Sequence, residues 1–311
     1  MKWTRSWTTH SSIQVLVSLA FLTAAGNATA QRGGNNRDIG RQLPLEGAPL
    51  AVPGPYAVVH EPAVGLEGQV IWRPADLSAF PGRDTLPVMA WGNGGCGIDS
   101  TRYGGFLETI ASHGFLVIST VPIEGQQGRG TPEHMIAAFD WAEAENARAD
   151  SPLRGKITTG RMAAMGQSCG GFMSVSAGAD PRVGTIGMFN SAVQPPRPEG
   201  GRGGGFANTD ALAAVHGPIL MINGGEVDFM YEPAQQNYGI IDHVPVFYGA
   251  RFNAGHTATV FHPGGGEYAN VASNWLRYIF KGDAEAGKMF LGPDCSLCAL
   301  ETWETMSKRL E

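Results

Sequence analysis

The residues Gly166-Gln167-Ser168-Cys169-Gly170 match the pattern G-x-S-x-G. In this pattern the serine occupies a sharp turn between a strand and a helix, where small neighbours leave its hydroxyl free to attack a carbonyl carbon. A chain with 44 glycines could contain one such match by composition alone, as an ordinary glycine-rich turn. The context favours chemistry, because residues 162–165 are apolar and strand-like and a helical stretch follows. We therefore predict Ser168 as a nucleophile.

Residues that could complete a catalytic triad follow in the order serine, acid, histidine. The apolar run 218–223 leads into a loop with two acids, of which we choose Asp228 as the triad acid and keep Glu226 as its rival. His256 lies between small residues after a further strand, so we predict it as the general base, with His262 as its rival. This order is the one that the α/β-hydrolase fold requires.

A glycine-rich loop, Gly92-Asn93-Gly94-Gly95-Cys96-Gly97, follows the predicted strand 87–91. Such a loop exposes backbone N–H groups, which can bind the oxyanion that forms when a serine attacks an ester. The same residues match the dinucleotide pattern G-x-G-x-x-G. We reject that interpretation, because the loop does not open the first βαβ unit and the next strand, 115–121, lacks an acid at its end to bind a ribose. No cofactor is therefore expected.

The elements that must position these residues alternate between strands and helices. This alternation predicts an α/β fold in which helices cover both faces of a mostly parallel sheet. The short, loop-like stretch 192–217 predicts a minimal lid, and it includes a low-complexity loop at 195–205. We expect a single domain over residues 55–311, after a loose lead-in at 31–54. The predicted strands are 56–60, 69–72, 87–91, 115–121, 161–166, 185–190, 218–223 and, as the possible last one, 244–248; the predicted helices are 103–112, 132–146, 170–177 and 268–281.

The composition excludes several classes of protein. Apolar residues make up 43% of the 311, which is enough for a large core, and the net charge of −6 lacks the basic excess of a nucleic-acid-binding protein. Residues 1–30 have a basic start, a short apolar run and Ala28-Thr29-Ala30, which together predict a signal peptide cleaved after Ala30. The apolar run is too short to span a membrane. We expect a secreted or periplasmic protein, most simply a monomer.

The four cysteines gain meaning from the predicted export. In an oxidising compartment an even number of cysteines indicates disulfides, and four cysteines allow three pairings. Pairing of Cys295 with Cys298 closes a very short loop and costs little chain entropy. The remaining two are Cys96, in the glycine-rich loop, and Cys169, directly after the predicted nucleophile. No metal-ligand spacing is present, so we predict no metal site.

Several of these segments together resemble the cutinase-like polyester hydrolases, which are secreted α/β-hydrolase serine esterases. The resemblance runs from about residue 87 to residue 279. Ala111-Ser112-His113-Gly114-Phe115 is similar to the A-S-H-G-F segment of that family, and residues 166–171 are similar to its G-x-S-M-G-G turn. Glu226-Val227-Asp228 resembles its E-x-D acid loop, and Gly255-His256 resembles its histidine loop.

The resemblance also implies roles for residues that depart from the family's pattern. It places Cys96 at the first oxyanion position, usually aromatic, and Cys169 at the second, usually methionine, so that their N–H groups would form the oxyanion hole. Because these two positions adjoin each other in the family, it implies a Cys96–Cys169 disulfide. The family's apolar clamp is then partly lost, and residues 192–194 lack its stacking tryptophan. Met230 falls at a substrate-lining position.

The sequence therefore predicts a serine hydrolase that cleaves carboxylic esters, small or polymeric, through an acyl-enzyme. One alternative is a secreted serine peptidase or amidase of the same fold, which would need a larger cap than the short stretch 192–217 provides. The other is a non-catalytic binding protein, in which Ser168, Asp228 and His256 would fail to converge.

Overall fold

The described part of the chain is built around one mixed β-sheet. The computed structural model describes residue 45 and residues 47–126, 128–196 and 206–310. The predicted signal peptide, most of the predicted lead-in and much of the loop 195–205 lie outside these residues. The strands are β1 (Val58–Pro62), β2 (Gln69–Pro74), β3 (Leu86–Gly92), β4 (Leu116–Thr120), β5 (Ile157–Gln167), β6 (Val183–Phe189), β7 (Ile219–Asn223), β8 (Val246–Arg251) and β9 (Trp303–Lys308).

The sheet is parallel in its centre and antiparallel at its margins. Its strand order is β1-β2-β4-β3-β5-β6-β7-β8-β9. Strands β3 to β8 pair in parallel, whereas β1, β2 and β9 join in antiparallel register. Buried parallel strands read as continuous apolar runs, which is why the sequence pattern located them. The predicted α/β fold is confirmed.

Helices cover both faces of the sheet. They are α1 (Gly104–Ser112), α2 (Pro132–Ala147), α3 (Cys169–Ala177), α4 (Tyr231–Ile240), α5 (Gly266–Lys281) and the single turn α6 (Ala284–Gly287). Side chains alternate along a strand, so that Val88 and Ala90 of β3 pack in one hydrophobic cluster with α2 and α3. Met89 and Trp91 pack in a second cluster with α1 and α5. Two cores thus hold the central strands between layers of helix.

Helices α4 and α6 and strand β9 were not predicted, and α6 is a single turn of four residues. Helix α4 was not predicted, because its sequence contains Pro233 and Gly239 and has little apolar periodicity. Strand β9 was not predicted either, so the strand expected at 244–248, here β8, is not the last in the chain. β9 is a partly exposed edge strand of mixed polarity, which gives no continuous apolar run.

The topology brings five loops to one edge of the sheet. Because β3, β5, β6, β7 and β8 are parallel, the segments that follow their carboxyl ends lie side by side, where α/β proteins place their sites. The end of β8 is fixed by a buried ion pair between Arg251 Nε and Glu267 Oε1 of α5, 2.7 Å apart.

Among the described residues, no helix has the length and apolarity that a membrane span requires.

Candidate active site

Ser168 occupies a strained turn between β5 and α3. Its backbone has φ 53° and ψ −116°, a conformation that L-residues other than glycine rarely adopt. The chain can turn this sharply only because the residues two positions before and after Ser168 are glycines. A Cβ at Gly166 would overlap the backbone of Gly170, and a Cβ at Gly170 would overlap the carbonyl of Gly92 on the neighbouring strand. The turn therefore presents the Ser168 hydroxyl at the edge where the five loops meet.

Ser168, His256 and Asp228 form one hydrogen-bonded chain. His256 Nε2 lies 2.9 Å from Ser168 Oγ, and His256 Nδ1 lies 2.8 Å from Asp228 Oδ1. These residues are separated by 88 and 28 positions in sequence, so the fold alone brings them together. Of the two acids considered, Asp228 is buried and contacts the imidazole, whereas Glu226 is exposed. The ring that contacts Ser168 is that of His256 and not of its rival His262.

Asp228 is held as a carboxylate by a set of donors. Besides His256, it accepts hydrogen bonds from Asn190 Nδ2 at 2.8 Å, from the Met230 N–H at 3.0 Å and from the Gly224 N–H at 3.3 Å. Burial raises the pKa of Asp228, but the hydrogen bonds and the neighbouring imidazole outweigh it and keep the pKa below its ordinary value of 3.8. A charged acid can orient the imidazole and stabilise its protonated form.

Asn190 is a site residue that the sequence analysis missed. It follows β6, has φ 47°, and uses its two amide hydrogens on Asp228 Oδ2 and on the Gly255 carbonyl oxygen at 3.0 Å. It therefore ties the acid loop to the segment that carries His256. A polar residue at the carboxyl end of a parallel strand was the available signal, and it is a weak one without the strand order.

A disulfide joins the glycine-rich loop to the start of α3. Cys96 follows Gly95 in a short 3-10 turn, and both have positive φ values, 52° and 63°. Cys96 and Cys169 are bonded, with their Cα atoms 5.2 Å apart. Cys169 is the first residue of α3, where backbone N–H groups have no acceptor within the helix and the helix dipole is positive. The main-chain N–H groups at the start of α3 therefore favour the binding of an anion.

A buried polar chain links this loop to the histidine segment. The Gly94 N–H donates to Tyr103 Oη at 2.8 Å, Tyr103 Oη donates to Gln167 Oε1 at 3.0 Å, and Gln167 Nε2 donates to the His256 carbonyl oxygen at 2.9 Å. Burial raises the pKa of Tyr103 to about 12, so its hydroxyl keeps its proton. The sequence analysis missed Tyr103 and Gln167, although Gln167 is the variable residue of the G-x-S-x-G pattern.

The acid loop alternates between buried and exposed side chains. Val227 and Phe229 are 58% and 65% exposed, whereas Asp228 and Met230 are 2% and 8% exposed. The Phe229 ring lies against the imidazole of His256, with ring centroids 4.0 Å apart. Met230, expected to line the substrate site, packs in the core beside α4. Phe229 is therefore an exposed side chain of this loop that contacts His256.

The remaining two cysteines form a second disulfide. Cys295 and Cys298 are bonded to each other, with their Cα atoms 5.2 Å apart, in the segment between α6 and β9. In the part of the chain that the structure describes, no three His, Cys, Asp or Glu side chains come together as metal ligands.

Comparison with known proteins finds one family model that matches part of the chain. Residues 51–189 match the model of the PETase family, described as PET hydrolase-like. The matched segment contains the glycine-rich loop and Ser168, and it ends before Asp228 and His256. No curated protein matches the chain. The match confirms, over residues 51–189, the resemblance to the cutinase-like polyester hydrolases, and the mostly parallel sheet agrees with the α/β-hydrolase fold that this resemblance implies.

Proposed function

We propose that this protein is an exported serine esterase that cleaves carboxylic esters through an acyl-enzyme. The single observation that carries the proposal is the hydrogen-bonded chain from Ser168 Oγ through His256 to Asp228. Three separate loops supply these groups, and together they place a buried aspartate against a histidine and that histidine against a strained serine. The catalytic domain spans residues 55–311 in this proposal, and the chain acts as a monomer.

Acylation uses these groups in a fixed order. Ser168 Oγ attacks the ester carbonyl carbon while its proton passes to His256 Nε2, and the carbonyl π electrons move onto oxygen. Asp228 holds the Nδ1–H tautomer and stabilises the imidazolium. When the tetrahedral intermediate collapses, His256 Nε2 gives the proton to the departing alkoxide, the C–O bond to the alcohol breaks, and an acyl-Ser168 ester remains.

The negative oxygen of the intermediate is bound by main-chain donors. In the proposed arrangement these are the N–H groups of Cys96 and Cys169, which the disulfide keeps together. Removal of one oxyanion donor typically costs about 3–4 kcal/mol of transition-state stabilisation. Deacylation repeats the sequence with water: His256 takes its proton, hydroxide adds to the acyl carbon, and Ser168 leaves with the proton returned. No cofactor takes part in these steps.

The test is hydrolysis of p-nitrophenyl esters by the purified mature chain and by Ser168→Ala. We expect activity in the wild type that the variant loses, because no other group supplies the nucleophile. Ser78→Ala, which removes an exposed hydroxyl in the loop between β2 and β3, is the matched control and should remain active. A series of acyl chains from acetate upward sizes the acyl pocket.

Each other outcome has a definite meaning. Activity on p-nitroanilides that exceeds activity on the matched esters would favour the peptidase or amidase alternative. A folded, oxidised wild type that cleaves neither kind of substrate would favour a non-catalytic binding protein. Activity that persists in Ser168→Ala would place the nucleophile elsewhere and overturn the mechanism.

A further inference from the structure

The exposure of Phe229 needs an explanation. Single exposed apolar side chains are common on proteins, so exposure alone carries no inference. Phe229 differs because its ring lies against the imidazole of His256, with ring centroids 4.0 Å apart and planes tilted by 33°. The two nitrogens of that imidazole contact Ser168 and Asp228. Its side chain is absent from both hydrophobic cores. The structure therefore places an aromatic ring at the reacting atoms without using it to stabilise the fold.

The chemistry identifies which half of an ester this ring would meet. In the proposed mechanism His256 Nε2 must come within hydrogen-bond reach, about 3 Å, of the oxygen that leaves with the alcohol. The first carbons of that alcohol are then adjacent to the imidazole and to the ring that lies against it. The acyl chain extends from the same carbonyl carbon in another direction. The alcohol half is therefore the part of the substrate closest to Phe229.

Other apolar side chains near the site residues in sequence are bonded or buried. The side chains of Cys96 and Cys169 are bonded to each other, and Ala192 and Val193, after β6, are buried. Met230 is buried as well. Among the described residues directly next in sequence to Ser168, Asp228, His256 and Cys96, the large apolar side chains that are exposed are Val227 and Phe229.

We propose that Phe229, flanked by Val227, is a binding platform for the alcohol half of the substrate, and that the enzyme favours esters of aromatic alcohols. An aromatic ring from the substrate would stack on the outer face of Phe229 while its ester oxygen lies at His256 Nε2. A pair of aromatic rings contributes binding free energy in addition to that of the apolar area it buries. This inference rests on the proposed function and specifies its substrate class.

The test uses three acetates that give the same acyl-enzyme but differ in alcohol: benzyl, cyclohexylmethyl and ethyl acetate. Because deacylation is common to all three, kcat/KM isolates the contribution of the alcohol. We expect the wild type to prefer benzyl over ethyl acetate, and Phe229→Ala to reduce that preference about tenfold. Relative to Phe229→Ala, Phe229→Leu should restore kcat/KM on cyclohexylmethyl acetate more than on benzyl acetate, because the leucine side chain is apolar but not aromatic.

Controls separate the platform from a supporting role. Ile240→Ala removes an exposed apolar side chain at the end of α4 and should leave the preference unchanged. Benzyl alcohol should inhibit the wild type as a product and inhibit Phe229→Ala about tenfold more weakly. If Phe229→Ala slows all three acetates by one factor, the ring only supports His256 and the proposal is wrong, while the esterase proposal stands. If the wild type cleaves neither the three acetates nor any p-nitrophenyl ester, both proposals fail.

Discussion

The two sides of the site are built in different ways. On the oxyanion side, a disulfide and the buried chain Gly94–Tyr103–Gln167 fix the main chain. On the histidine side, Asp228 and His256 are held by hydrogen bonds alone, and Phe229 is largely in solvent. In the proposed mechanism, covalent restraint therefore lies where the charge of the intermediate must be stabilised at fixed positions. The adaptable surface lies where the alcohol of the substrate would enter and leave.

The largest effect is expected from breaking the histidine side. Asp228→Asn should lower kcat for p-nitrophenyl acetate about 10⁴-fold, because the amide cannot stabilise the imidazolium and favours the wrong tautomer. Glu226→Gln, the matched change two residues away, should alter kcat less than about threefold, because Glu226 is exposed. The reverse ranking would show that Glu226 is the triad acid.

The same variant gives a pH signature. The pKa of Asp228 is lowered in the folded protein, so its charge contributes stability above the ordinary value of 3.8, and that contribution is lost as the pH falls through the folded value. Melting temperatures measured from about pH 6 to about pH 3 should therefore fall less steeply in Asp228→Asn than in the wild type. Equal slopes would contradict the assignment of a depressed pKa.

An intermediate effect is expected from opening the oxyanion side. Cys96→Ala/Cys169→Ala should lower kcat by up to about a hundredfold, because the two N–H donors lose their restraint. Cys295→Ala/Cys298→Ala is the matched control and should keep full activity. Unfolding titrations should also separate the two pairs: for sequence separations of 73 and 3, chain entropy predicts losses of about 4 and about 2 kcal/mol. Full activity without the Cys96–Cys169 bond would remove the disulfide from the mechanism.

A smaller effect is expected from cutting the connection between the two sides. Tyr103→Phe and Gln167→Leu should each lower kcat about tenfold, because each leaves buried polar groups of the connected loops unpaired. The double variant should lose less than the product of the single effects, since both residues act in one chain. Tyr238→Phe, on α4, is the matched control. Fully multiplicative losses would mean that the two residues support the site independently.

The sequence was informative where chemistry and burial leave local signals. The central parallel strands are apolar runs, and Ser168 lies in a turn that only glycines can flank, so both could be predicted. The sequence analysis chose Asp228 and kept Glu226 as its rival, because both acids follow β7; the packed loop buries Asp228 and leaves Glu226 exposed. The Cys96–Cys169 pairing came from family resemblance and not from spacing.

The supporting residues were harder to predict than the reacting ones. Asn190, Tyr103 and Gln167 contact partners 38, 64 and 89 positions away in sequence, so their roles depend on strand order and loop packing. Each is an ordinary polar or aromatic residue in its local context. A triad can be located by its residue types, whereas the groups that orient it are defined only by the folded chain.

In the proposed mechanism the oxyanion is bound by main-chain N–H groups, which every residue except proline carries. The side chains at positions 96 and 169 are then not prescribed by catalysis, and this chain uses them as a cross-link. The two positions can be exchanged together but not singly, since replacement of one cysteine leaves an unpaired thiol beside the nucleophile. A mutational route to apolar side chains at positions 96 and 169 must therefore change both codons. A variant with only one of the two changes carries a free thiol, which can form wrong disulfides during oxidative folding.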